Sequence, residues 1–283
     1  MRARAGLRPG DAVTVRVARY DPDRDRSLRW QEWQAPWEAG LTVLELLFRV
    51  KETQDGTLTF RAACRMGVCG SCGMHINGKP RLACDTQVAE LGPRIVVGPL
   101  PNHDVIKDLV PDLDPTFARH RAVQPYLIRD DRVEMDRPTR EYHQTPAEMN
   151  AYLQFAGCIT CSLCVAACPV SATDRLFLGP QALAQAYRYT ADSRDGGLAA
   201  REAGLARTHG VVSCHLAGAC SEACPKGVDP ALAIQLLNRA LLTGPSHRGA
   251  APLVEVGPPG APPEDRPVAP PPTVTPGGGE SAS

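Results

Sequence analysis

Cysteine is the residue type here with the most chemistry to offer. There are 11 among 283 residues, in two groups. The first is Cys64, Cys69, Cys72 and Cys84; the second is Cys158, Cys161, Cys164, Cys168, Cys214, Cys220 and Cys224. The front spacing, C-x4-C-x2-C and then a single cysteine, is the plant-type [2Fe–2S] arrangement. Such a cluster needs three thiolates from one tight loop and a fourth from a separate element. Gly67, Gly70 and Gly73 let the backbone wrap closely and leave amide N–H groups free to point at sulfur. Zinc also takes four cysteines, but zinc ribbons pair two short C-x2–4-C hooks, and here a three-cysteine loop is matched by one single cysteine.

In the rear group, Cys158-x2-Cys161-x2-Cys164-x3-Cys168-Pro169 reproduces the bacterial ferredoxin run, whose fourth cysteine serves a second cluster. A second run is therefore expected. It is present in altered form, Cys214-x5-Cys220-x3-Cys224-Pro225, with Ala217 where a cysteine would restore the pattern. The crossover rule assigns Cys158, Cys161, Cys164 and Cys224 to a [4Fe–4S] cluster and leaves Cys168, Cys214 and Cys220 for another. Three thiolates suit a [3Fe–4S] cluster. The competing reading is a [4Fe–4S] cluster completed by water or a non-cysteine side chain. His215 is the nearest such candidate, although it adjoins Cys214 and not the vacant corner.

Local patterning supplies the elements that must position these thiols. Alternation over residues 13–17 predicts a strand, and Thr42 is a candidate N-cap for a helix over 43–48. Further strands are expected at 58–60, 73–76 and 94–97, with Asn77-Gly78 as a hairpin turn. A few strands around one helix make a small α+β domain over 11–103, after an N-terminal extension at 1–10. Trp30, Trp33 and Trp37 read as packing or interface residues. Residues 104–145 are a polar, Pro-punctuated connector with a short packed piece near 122–128. The rear unit, 146–244, reads as all-α. It has one helix over 147–157, one over 181–189 opened by Pro180, and one capped by Asp229, with Pro230 first and Gly244 past its end. Residues 245–283, rich in Pro and Gly, read as a disordered tail. His75, His103, His120, His143 and His209 fall into no constellation.

Composition narrows the function. Lys+Arg 31 against Asp+Glu 31 leaves no basic surplus to collect phosphates, so no nucleic acid partner is expected. No apolar stretch follows Met1-Arg2-Ala3-Arg4, so no signal peptide is expected. The best membrane-span candidate, residues 231–242, is too short and holds Gln235, Asn238 and Arg239. In a reducing compartment an odd number of cysteines argues for metal or redox chemistry over disulfides. No strand-placed dinucleotide fingerprint occurs, since the glycines of 67–73 are interleaved with cysteines. Three clusters and no substrate-activating group describe a chain that hands electrons between partners and holds no catalytic residue of its own.

These residues resemble a known family, the iron–sulfur subunits of succinate dehydrogenase and fumarate reductase. The resemblance rests on Arg61-Ala62-Ala63-Cys64-Arg65-Met66-Gly67-Val68-Cys69-Gly70-Ser71-Cys72-Gly73, Asn77-Gly78, Leu82-Ala83-Cys84 and Arg19-Tyr20-Asp21-Pro22. It continues through Cys158 to Pro169, Tyr187-Arg188, Asp192-Ser193-Arg194-Asp195 and Cys220 to Lys226, and covers about 11–242. It implies a plant-ferredoxin-like β-grasp domain followed by a helical bacterial-ferredoxin-like domain. It implies a flavoprotein partner with covalent FAD, where succinate and fumarate interconvert, and one or two membrane-anchor subunits that hold the chain peripherally at the cytoplasmic side of the membrane. Quinone is expected near the [3Fe–4S] cluster, with His215 and Pro169 matching residues of that site. The family's quinone-contacting Trp has no counterpart in Val170-Ser171-Ala172-Thr173-Asp174, and Asn238 does not reproduce a Lys found in some fumarate reductases. The implied order is FAD, [2Fe–2S], [4Fe–4S], [3Fe–4S], quinone. Succinate oxidation is the leading expectation. The alternatives are fumarate reduction, a free-standing ferredoxin-type carrier, a subunit of a thiol- or glycolate-linked oxidoreductase and a structural zinc protein.

Overall fold

The computed structural model describes residues 7–245. The first six residues of the expected extension, and all of the expected tail but Pro245, lie outside the described residues.

Strand β1 (Ala12–Arg19) buries Val13, Val15 and Val17 completely, as its alternation requires. It pairs antiparallel with β2 (Arg29–Pro36), a strand the sequence hides because only Trp33 and Ala35 of it are buried. Helix α1 (Val43–Thr53) turns Val43, Leu44, Leu46, Leu47 and Val50 inward. Its start is a capping box. Glu45 N donates to Thr42 Oγ1 at 3.2 Å, and Thr42 N donates to Glu45 Oε2 at 2.9 Å. Strands β3 (Gly73–Ile76) and β4 (Lys79–Leu82) form the expected hairpin, with Asn77 at φ +45° and Gly78 at φ +79° as a type I′ turn needs. After the short helix α2 (Val88–Leu91), β5 (Arg94–Gly98) enters the middle of the sheet. The order is β2-β1-β5-β3-β4, with β1 and β5 parallel and the other pairs antiparallel. A mixed sheet around one long helix is the β-grasp arrangement.

The strand expected at 58–60 does not form. Leu58 fills the core, but Thr59 N donates to the Asp108 carboxylate at 2.9 Å and Thr59 O accepts from Leu109 N, so no neighbouring strand is left to pair. The buried Asp108 also accepts from Arg19 Nε at 2.9 Å and from Tyr20 N at 2.9 Å. The stretch containing β6 (Val105–Lys107) and β7 (Val110–Pro111) is thereby stitched to the front sheet. It leads into α3 (Asp114–Ala122) and α4 (Arg132–Asp136).

The rear unit is built on helices. The single helix expected over 147–157 is two, α5 (Pro146–Asn150) and α6 (Leu153–Ala156). The break is at Tyr152, whose backbone leaves the helical region (φ −129°, ψ −9°). Its hydroxyl donates to Gln144 Oε1 at 2.7 Å, and the Arg188 guanidinium lies over its ring. Helix α7 (Leu163–Ala167) lies within the first cysteine run and carries Cys164, and α8 (Pro169–Thr173) starts directly after Cys168. The longest rear helices, α9 (Gly179–Thr190) and α12 (Pro230–Thr243), pack on each other through Leu183, Ala186, Ile234 and Leu237. Pro180 opens α9, Asp229 caps α12, and Gly244 at φ +83° ends it. Between them lie α10 (Leu198–Leu205), a 3-10 turn at Val211–Ser213 and α11 (Ala219–Glu222). Arg201 and Asp195 form a fully buried ion pair at 2.7 Å, and Arg201 Nη2 also donates to Tyr126 O, which ties the connector to this unit.

The two units share a core. Leu163 and Ala166 of α7 pack into the same cluster as Val15, Met74, Ile76 and Val97 of the front sheet.

Candidate metal centres

The front cysteines come together as the spacing predicts. Loop 64–73 bends through Arg65 (φ +56°), Gly67 (φ +70°) and Gly70 (φ +75°), which turns its amides inward. Val68 N and Cys69 N reach Cys64 Sγ at 3.4 and 3.3 Å, Gly67 N reaches Cys84 Sγ at 3.3 Å, and Cys84 N reaches Cys72 Sγ at 3.5 Å. Cys84, arriving after β4, is thus held against the same loop. Backbone N–H groups aimed at sulfur stabilise the negative charge of a thiolate-bound cluster. The Ser71 hydroxyl, 3.3 Å from Cys69 Sγ, leads the groups that lower that thiol to about 6. Burial pushes the Cys72 thiol up to about 12.

The rear cysteines separate into two cavities. One is lined by Cys158, Cys161, Cys164 and Cys224, the other by Cys168, Cys214 and Cys220. This is the division that the crossover rule makes, and Ala217 lines the second cavity. Ser171 N points at Cys168 Sγ, Leu216 N at Cys214 Sγ and Val228 N at Cys224 Sγ, at 3.4–3.5 Å. Burial raises the Cys161 and Cys220 thiols to about 11 each and carries Cys164 well above its ordinary value. Binding metal as thiolates must release those protons. All 11 cysteines are free of disulfides. Among the described residues no three His, Cys, Asp or Glu side chains gather around a point fit for a single ion. The rear sulfurs stand around cavities, which fits a multi-iron cluster better than a tetrahedral zinc with ligands at about 2.3 Å.

The quinone-site candidates both line the second cavity, His215 exposed and Pro169 exposed at the start of α8. Three histidines read as ordinary have specific partners, and one of them, His209, has Nδ1 2.7 Å from Asp174 Oδ2. His103 lies at the junction of the units, with Nδ1 2.7 Å from Pro101 O and Nε2 2.8 Å from Ser162 Oγ. His120 Nδ1 lies 3.1 Å from Gln181 Nε2. Sequence patterning also gave no sign of Asn102. Held at φ +63°, it donates to the carbonyls of Val165, Ala166 and Cys168 at 2.9–3.2 Å, capping the C-terminus of α7. Val165 O and Cys168 O also accept the amides of Cys168 and Ala172, at 3.2 and 3.3 Å, so Asn102 adds a second donor to each beside Cys168. Asn102→Leu is expected to cost about 1–3 kcal/mol and to lower iron bound in the second rear cavity more than in the front loop. Thermal denaturation and iron analysis read both effects.

Two family models match the chain: a 2Fe-2S iron-sulfur cluster binding domain over residues 14–118, and a 4Fe-4S dicluster domain over 154–228. A fumarate reductase iron-sulfur subunit of Mycobacterium tuberculosis is 47% identical over 238 residues, covering 84% of this chain and 94% of that protein. The succinate dehydrogenase iron-sulfur subunit of Paracoccus denitrificans is 37% identical over 241 residues, 83% of this chain and 91% of that protein. The chain belongs to the family of succinate dehydrogenase and fumarate reductase iron–sulfur subunits. The fold agrees. A chain of the Mycobacterium smegmatis Sdh1 complex in the apo form superposes with a TM-score of 0.73 at 24% identity, over 87% of this subunit and all of that chain. Among the described residues no helix of this iron–sulfur subunit is long and apolar enough to cross a membrane. The α+β class, with a β-grasp unit before a helical ferredoxin-like unit, stands as expected.

Proposed function

We propose that the chain is the electron-transfer subunit of a succinate:quinone oxidoreductase, working between the FAD of a flavoprotein subunit and a quinone bound where a membrane-anchor subunit meets it. The division of the rear cysteines between two cavities, one with four thiols and one with three, carries this reading. Cys64, Cys69, Cys72 and Cys84 would hold [2Fe–2S]; Cys158, Cys161, Cys164 and Cys224 would hold [4Fe–4S]; Cys168, Cys214 and Cys220 would hold [3Fe–4S]. The clusters supply one-electron steps in series, so no bond on a substrate is made or broken in this chain.

The residues serve that task by exclusion and closeness. The loop bearing Cys69 and Cys72 abuts that bearing Cys161, with Gly70 packed on the Cys161 backbone. Cys72, Cys84, Cys164, Cys168 and Cys220 are buried, which keeps water from much of the path. Cys64 and Cys69, by contrast, lie toward the surface beside the exposed Met66 and Val68, where a flavoprotein partner can approach. His215, Pro169 and the exposed Leu216 beside the second cavity suit an anchor and quinone. In this reading the chain sits peripherally at the cytoplasmic side of the membrane, with residues 11–103, 104–145 and 146–244 as its working divisions.

Fumarate reduction is the second reading, and the relative from Mycobacterium tuberculosis is named for it. Electron paramagnetic resonance (EPR) of the purified complex during succinate and fumarate titrations tests both readings. Three cluster signals reduced in turn by succinate are expected; zinc in place of iron and acid-labile sulfide would overturn the proposal. Comparing succinate–quinone with quinol–fumarate turnover then decides the direction.

A further inference from the structure

Helix α9 begins between the two rear cavities. Pro180, in its first turn, lines the cavity of Cys168, Cys214 and Cys220, and the next residue, Gln181, lines the cavity of Cys158, Cys161, Cys164 and Cys224. Gln181 is 2% exposed, so its amide is cut off from water. Its Nε2 has two neighbours: His120 Nδ1 at 3.1 Å and Cys158 Sγ at 4.0 Å. Its Oε1 is buried with no hydrogen-bond partner at all. A buried, half-satisfied amide costs on the order of 1–3 kcal/mol, and an alanine or leucine here would avoid that cost. Something at the cavity must offset it. With the His120 proton on Nε2, Nδ1 accepts from the amide, and the opposite amide orientation would set oxygen against both Nδ1 and the sulfur.

We infer that Gln181 is a redox-tuning residue, whose amide N–H, shared between His120 and Cys158, stabilises added negative charge on the cluster held by Cys158. The inference rests on the reading of that cavity as a [4Fe–4S] site. Adding an electron makes the thiolate-ligated cluster more negative, and a donor fixed in a dry cavity favours that state more than a solvated donor would. Gln181 therefore raises the reduction potential of this centre, the middle one of the proposed series. His120 sets how much of the donor reaches sulfur. Burial holds the His120 imidazole below its ordinary pKa, so the neutral ring can accept at Nδ1 and divert part of the N–H from Cys158.

The test is EPR-monitored redox titration of the [4Fe–4S] signal in the purified complex, with iron and sulfide assayed on every sample. Gln181→Leu keeps the volume and removes the donor. Gln181→Glu keeps the shape and puts a carboxylate against sulfur. Both are expected to lower the midpoint, Gln181→Leu by about tenfold in the one-electron equilibrium, or 59 mV, and Gln181→Glu by more. His120→Leu, which frees the N–H for sulfur, is expected to raise it. Should one variant fail to assemble its clusters, the other two still read the effect. Midpoints unmoved with full cluster content, or moved the same way by all three, would overturn the inference. A wild-type complex with no [4Fe–4S] signal would instead overturn the cluster assignment beneath it.

Discussion

Ala217→Cys is expected to abolish the EPR signal of the oxidised [3Fe–4S] centre and replace it with a [4Fe–4S] signal seen only on reduction. Ala217 lines the cavity of Cys168, Cys214 and Cys220, between Leu216 at φ +54° and Gly218 at φ +75°. These two left-handed turns carry the backbone around the cavity, and a thiol at 217 completes the x2-x2-x3 spacing of the first run. A fourth thiolate admits a fourth iron and so changes the cluster type, which is itself a determinant of potential, and the [4Fe–4S] form is expected to have the lower one. Each 59 mV of that fall shifts a one-electron equilibrium tenfold against reduction of the centre. Succinate–quinone turnover is therefore expected to drop by at least about tenfold while succinate oxidation by an artificial acceptor at the flavoprotein persists. Persistence of the [3Fe–4S] signal unchanged would show that the missing corner lies elsewhere. A [4Fe–4S] signal at that site in the unmodified complex would favour completion by water or His215.

Gly70→Ala is the second substitution with a large expected effect, and it acts on the gap between the units. A Cβ at Gly70 would sit 2.7 Å from Cys161 Cβ, 2.9 Å from Cys161 Cα and 3.3 Å from Ile159 O. These are backbone and near-backbone atoms that cannot swing aside, so the front loop and the Cys161 loop must part. Overpacking costs about 1–3 kcal/mol, and the left-handed backbone at φ +75° adds about 1–2 kcal/mol for alanine. Gly78→Ala is the control. Gly78 has φ +79° but open space around its Cβ, so it carries only the backbone cost. Gly70→Ala is expected to lower the melting temperature more than Gly78→Ala and, alone of the two, to slow reduction of the rear centres by succinate in rapid-freeze EPR, with iron in the front loop intact. Equal effects from both alanines would mean that the contact at Gly70 does not set the spacing between centres.

Much of this molecule is legible from neighbouring residues alone. Cysteine spacing is a local property, and it announced both ferredoxin-like patterns and the defect at Ala217 before any fold was known. The Asn77-Gly78 turn, the Thr42 cap and the Asp229-Pro230 start of α12 are equally local, and all appear in the structure. Where patterning failed, the deciding partner was distant in the chain. Strand β2 shows little alternation because it is an edge with one buried stripe. Residues 58–60 have the composition of a strand, but the Asp108 carboxylate takes the Thr59 amide that a ladder would use. The helix expected over 147–157 breaks at Tyr152, which is held by Gln144 and covered by Arg188.

The same division holds at the metal centres. The order of residues along the chain predicted which rear cysteines would line a cavity together, because their spacing is written in the covalent sequence. Only the tertiary structure decided how close the front loop comes to Cys161, which carbonyls Asn102 caps and where the buried amide of Gln181 points. These depend on packing α7 and α9 against elements far away in the chain, and close packing specifies such contacts to within tenths of an ångström, a precision that no local pattern encodes.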